Sequence, residues 1–84
     1  MNFYLISPPE ECSSFNVYNF EKILGYINVK YLQLRPKYNN DKLNRNFIVK
    51  NFRTFQKLCF LRDIKLIIND DVKLAKELES DGVH

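Results

Sequence analysis

Three short runs of β-prone residues, each closed by a breaker and separated by segments of helical periodicity, constrain the fold of this chain most. Phe3-Tyr4-Leu5-Ile6-Ser7 ends at Pro8-Pro9, Val29 to Arg35 ends at Pro36, and Ile64-Lys65-Leu66-Ile67-Ile68 ends at Asn69-Asp70-Asp71. Proline has no N–H to give a ladder, and Asn and Asp favour turns and helix caps, so these are strand ends. Phe20, Ile23, Leu24 and Ile27 recur at i, i+3, i+4 and i+7, which predicts a helix over about 15 to 27, capped by Ser13 or Ser14. Ile48, Phe52, Phe55 and Cys59 form a second such stripe, predicting the longest helix over about 43 to 62. A short third helix, carrying Leu74 and Leu78 with Val72 and Ala75 beside them, runs to the break at Ser80-Asp81-Gly82, and Val83-His84 begins a fourth strand.

Strands joined through helices must be parallel, because a parallel pair needs a long crossover. The pattern is therefore α/β, a βαβαβαβ series that fits either a small open sheet or the first part of a barrel. A complete eight-stranded barrel takes about 200 to 250 residues, whereas this chain has 84, so one small domain spanning residues 1–84 is expected. An apolar share of 45% and an aromatic share of 14% exclude disorder from low hydrophobicity. The net charge of +3 is dispersed, which argues against nucleic acid as a partner and leaves anionic small molecules. Cys12 and Cys59 stand in no metal-binding or paired spacing, as expected of reduced thiols in the cytoplasm. The N-terminus lacks a basic n-region, and no run reaches the roughly 20 apolar residues that cross a bilayer. No membrane partner is expected.

Strand residues alternate faces, so Tyr31, Gln33, Arg35 and Lys37 are predicted on one side and Leu32 and Leu34 on the other. An amide, a guanidinium and an ammonium at a carboxyl edge lose hydration unless water or a ligand meets them there, and that edge is where α/β folds bind ligands. A planar guanidinium fork beside a compact ammonium suits a diphosphate. A solvated strand end would look the same. Asn69 and Asp70 occupy the matching end of the third strand, where an amide can bond phosphate and a carboxylate can hold Mg²⁺ with bridging phosphate oxygens. They also fit as ordinary N-cap residues. Cys59 reads as core, Tyr4 and Tyr31 as packing residues with hydroxyls able to reach a site, and lone His84 as a strand residue at the chain end.

These landmarks together resemble the thiamine-phosphate synthases and the related thiazole tautomerases. Tyr4-Leu5-Ile6 is similar to the family's opening strand, Gln33-Leu34-Arg35-Pro36-Lys37 to its Q-x-R-x-K strand, Ile67-Ile68-Asn69-Asp70 to its I-I-N-D strand, and Asp81-Gly82-Val83-His84 to the start of its D-G-V-H-L-G-Q segment. The resemblance implies a partial TIM (β/α)8 barrel of about three βα units plus the start of a fourth parallel strand. It implies the joining of hydroxymethylpyrimidine diphosphate to thiazole phosphate, with Mg²⁺, releasing pyrophosphate. Carried over by position, Gln33, Arg35 and Lys37 would contact the pyrimidine substrate and its diphosphate, Asn69 the diphosphate, and Asp70 the metal. None of these residues receives an acid–base or nucleophilic role. The Q-x-R-x-K triplet favours a synthase over a tautomerase.

Asp71 stands where the family commonly has Arg, which weakens the local positive charge. The acidic residue expected just past L-G-Q and the thiazole-phosphate loops would lie beyond His84. Exposed strand edges then call for a complementary chain or self-association. The competing readings are a transferase completed by such a chain, a non-catalytic remnant that keeps the diphosphate-binding edge, and a tautomerase-like relative. In every case the chain alone is expected not to turn over.

Overall fold

The structure, a computed structural model, describes residues 2–69 and 71–83. Strand β1 (Asn2–Ile6), helix α1 (Val17–Leu24), strand β2 (Asn28–Leu34), helix α2 (Asp41–Leu61), strand β3 (Lys65–Ile68), helix α3 (Val72–Glu77) and strand β4 (Gly82–Val83) follow one another in the predicted alternation. The four strands pair in parallel in the order β1-β2-β3-β4. His84 and Asp70 lie outside the described residues.

Helix α1 begins later than its serines predict. Asn16 is the N-cap, with its side-chain oxygen accepting the Asn19 N–H at 2.8 Å. Ser13 and Ser14 instead offer backbone carbonyls to the amides of Asn16 and Asn19. The helix stops at Leu24 before Gly25, and Ile27 continues the apolar stripe only as a packed residue in the turn. Asn40 caps α2 by accepting from Lys42 and Leu43, which moves its start forward to Asp41.

Residues from all three helices and from β2 and β3 form one buried cluster, so the helices cover a single face of the sheet. Ile48, Phe52, Phe55 and Cys59 of α2 meet Leu32 and Leu34 of β2 and Leu66 and Ile68 of β3 there. Phe55 is fully buried, stacked on Phe15 with ring centroids 4.7 Å apart and edge-on to Phe20 at 5.5 Å. Buried Asn51 is satisfied within α2, its Nδ2 donating to the Phe47 carbonyl at 2.9 Å. Strand β2 carries an irregularity: Phe3 pairs with Val29 but Tyr4 with Tyr31, leaving Lys30 over. That extra residue lets Val29 and Leu32, three apart, both reach the core and sets the face of every residue after it. No helix among the described residues is long and apolar enough to cross a membrane.

Both cysteines are unpaired, Cys12 exposed and Cys59 buried. Burial, with Asp81 as a smaller cause, pushes the Cys59 thiol from 9.0 up to about 12. Hydrogen bonding to Ser14 holds the Cys12 thiol below its ordinary value. Because folding raises the Cys59 pKa, its contribution to stability is complete below pH 9.0 and is lost as pH rises towards about 12. An aqueous disulfide reagent at neutral pH is therefore expected to titrate Cys12 quickly and Cys59 only after denaturation. Denaturation midpoints are expected to fall above pH 9.0 in the wild type and less steeply in Cys59→Ala. Equal native reactivity of the two thiols would contradict this burial.

Candidate functional site at the carboxyl edge of the sheet

With the helices on one face, the opposite face presents Tyr4 and Ile6 of β1, Tyr31 and Gln33 of β2, and Lys65 and Ile67 of β3, in register with one another. Gln33 is 1% exposed although it lies on this face. Its Nε2 donates to the Tyr4 hydroxyl at 2.9 Å, and the Tyr4 ring stacks on Tyr31 at 5.4 Å. The hydroxyl thus reaches a predicted site residue and fixes its amide.

Beyond the strands the backbone continues to pair. Ser7 N–H donates to the Gln33 carbonyl at 2.8 Å, and Ser7 Oγ accepts the Arg35 N–H at 2.8 Å. Lys37 N–H donates to the Pro9 carbonyl at 2.7 Å, and Asn69 N–H to the Leu34 carbonyl at 3.2 Å. The loops after β1, β2 and β3 are therefore stitched side by side. Buried Ser7 is a site-shaping residue that the sequence reading missed. Its only signal was a hydroxyl between a strand and two prolines.

Arg35 lies at the end of β2, and its Nε is buried with no hydrogen-bond partner among the described residues. A buried donor left unmet costs about 1–3 kcal/mol, so this atom is suited to an acceptor brought by a ligand. Lys37 and Asn69 line one cavity of about 570 Å³, together with Asn44 and Arg45 of α2 and with Asp71. Asn44 holds the cavity wall by exchanging hydrogen bonds with the backbone of Tyr38, at 2.9 and 3.2 Å. The predicted site residues therefore divide. Lys37 and Asn69 share the cavity, whereas Gln33 and Arg35 do not line it. Strand alternation ends with β2 at Leu34, so it does not carry Lys37 onto the face of Gln33.

Asp71 is the N-cap of α3, its Oδ1 accepting the Leu74 N–H at 2.9 Å, while its Oδ2 lies 3.8 Å from Arg45 Nη1. The Asn69-Asp70-Asp71 run predicts a cap for this helix; Asp71 supplies it, and an arginine offsets its charge. Among the described residues no three His, Cys, Asp or Glu side chains gather to hold a metal. Asp71 is already engaged as a cap, and Asp70, which the resemblance assigns to the metal, lies outside the described residues.

The family model for thiamine monophosphate synthase matches residues 3–84, nearly the entire chain. The chain belongs to that family. It is similar to the thiamine-phosphate synthase of Pelagibacter ubique (strain HTCC1062), with 37% identity over 82 residues covering 96% of the chain. The chain spans 37% of that relative's length. In this member of the thiamine monophosphate synthase family, the segments Gln33 to Lys37 and Ile67 to Asn69 meet at one edge of a parallel sheet through the stitched loops.

The Tyr4–Gln33 pair is expected to hold the base of that edge. Tyr4→Phe should cost about 1 kcal/mol by leaving a buried amide donor unmet, and Gln33→Leu a comparable amount. The double variant should lose less than the sum of the two, since neither partner is then stranded. Strict additivity in urea titrations would show that the bond is not made.

Proposed function

We propose that this chain forms the diphosphate-binding part of a thiamine-phosphate synthase that joins hydroxymethylpyrimidine diphosphate to thiazole phosphate. The observation that carries the reading is the buried Nε of Arg35, without a hydrogen-bond partner among the described residues, at the same sheet edge as a cavity lined by Lys37 and Asn69. Arg35 and Lys37 would neutralise the diphosphate, Asn69 would donate to it, and Gln33, held by Tyr4, would meet the pyrimidine substrate. Asp70 would hold Mg²⁺, which when bound neutralises charge on the departing diphosphate. These cations stabilise negative charge that grows as the bond to pyrophosphate breaks, which is where binding contributes to rate.

The sequential strand order with helices on one face supports the opening units of a (β/α)8 barrel, because a doubly wound sheet reverses its strand order and carries helices on both faces. In a closed barrel Tyr4, Ile6 and Tyr31 would turn inward. Two unpaired thiols fit the reducing cytoplasm.

Calorimetry with inorganic pyrophosphate and Mg²⁺ tests the site. Binding is expected, and Arg35→Ala or Lys37→Ala should weaken it about tenfold or more, since a contact to a charged group is worth about 1.5–3 kcal/mol. Unchanged affinity in both variants would remove the proposed cradle.

A further inference from the structure

We propose that Arg45 is a positioning residue of the diphosphate site: its ion pair with Asp71 latches the turn between β3 and α3, and with it Asn69, against α2. The inference rests on the reading above that this edge binds a diphosphate. Arg45 stands in the second turn of α2. Its Nη2 lies 2.8 Å from Glu77 Oε2, in the last turn of α3, and its Nη1 lies 3.8 Å from Asp71 Oδ2, at the N-cap. One guanidinium thus reaches both ends of α3, which its planar fork of donors allows and a lysine point charge does not.

The carboxylate that Arg45 meets is the one that starts the helix, through Asp71 Oδ1 and the Leu74 N–H. Two residues earlier, Asn69 N–H is fastened to β2 through the Leu34 carbonyl. The turn is therefore held to β2 at one end and to α2 at the other. Arg45, Asp71, Asn69 and Lys37 line the same cavity, so a shift of this turn moves Asn69 relative to Lys37. The Arg45 and Asp71 side chains are 43% and 33% exposed. Solvent screens such a pair, and its consequence falls on placement more than on folding.

Arg45 could act otherwise only as a cation drawing the anion into the cavity, and Asp71→Asn separates the two roles. Asparagine keeps the cap but removes the charge. A latch predicts that Arg45→Met and Asp71→Asn each weaken pyrophosphate binding roughly two- to fivefold, the worth of a half-exposed ion pair. The double variant should then be no weaker than either, and Arg45→Lys should restore only part of the loss. Tighter binding in Asp71→Asn, with additive effects in the double variant, would overturn the latch in favour of simple attraction. Amide hydrogen exchange without ligand gives a second readout: Asn69 should exchange faster in both single variants. If the wild type fails to bind pyrophosphate, the diphosphate reading falls, and the exchange rates alone then decide the latch. Exchange at Asn69 unchanged by Arg45→Met would overturn it.

Discussion

Phe55 of α2 is sealed between Phe15 and Phe20 on one side and the strand residues of the core on the other, and this aromatic seat joins two crossovers over one face of the sheet. A parallel pair cannot be closed by a tight turn, so β1–β2 and β2–β3 pairing is only as firm as the packing of the helices between them. Losing the Phe55 ring would remove contacts from both crossovers together, where truncating a buried Phe typically costs about 3–5 kcal/mol. The long α2 contributes more buried residues than any other element, which makes the middle of the chain its mechanical centre.

From that seat follows the chemistry of the other face. Once Leu32 and Leu34 are committed to the helices, alternation places Gln33 on the opposite face, and Arg35 comes next, just past the strand end. The surplus residue Lys30 makes this parity work, because without it Val29 and Leu32 would point to opposite sides. The cost of placing an amide there is limited by Tyr4, which accepts its hydrogen bond. Arg35 Nε has no such partner among the described residues, which is the contrast on which the proposed site rests.

Much of this was legible in the residue order. The breakers at Pro8, Pro36 and Asn69 mark where strands end, and the Ile48-Phe52-Phe55-Cys59 stripe is buried throughout. What could not be read were features set by contacts distant in sequence. Ser7 became part of the edge only once β1 and β2 were paired, and Arg45 met Asp71 across 26 residues of chain. Side-chain period says nothing about such meetings. It also fails past a strand end, which is why Lys37 lines the α2 side of the edge while Gln33 stays under Tyr4.

That division has a physical use. A diphosphate presents two anionic groups linked by one bridging oxygen, and cations set on either side of a strand end can meet them from different directions. In the proposed site Arg35 would approach from the strand end and Lys37 from the loop beyond Pro36, while Asn69 is tied to β2 through the Leu34 carbonyl. A rigid scaffold holds the first of these, because Arg35 N–H is fixed by Ser7 Oγ. The other two rest on loops, whose backbones are held by Pro9 and Leu34 rather than by a regular ladder. The far end of the Asn69 turn is where Asp71 starts α3 and meets α2 through Arg45, the contact on which the proposed latch rests. Preorganised donors act on developing charge without having to reorient, and the stitched backbone at this edge supplies that order before any ligand arrives.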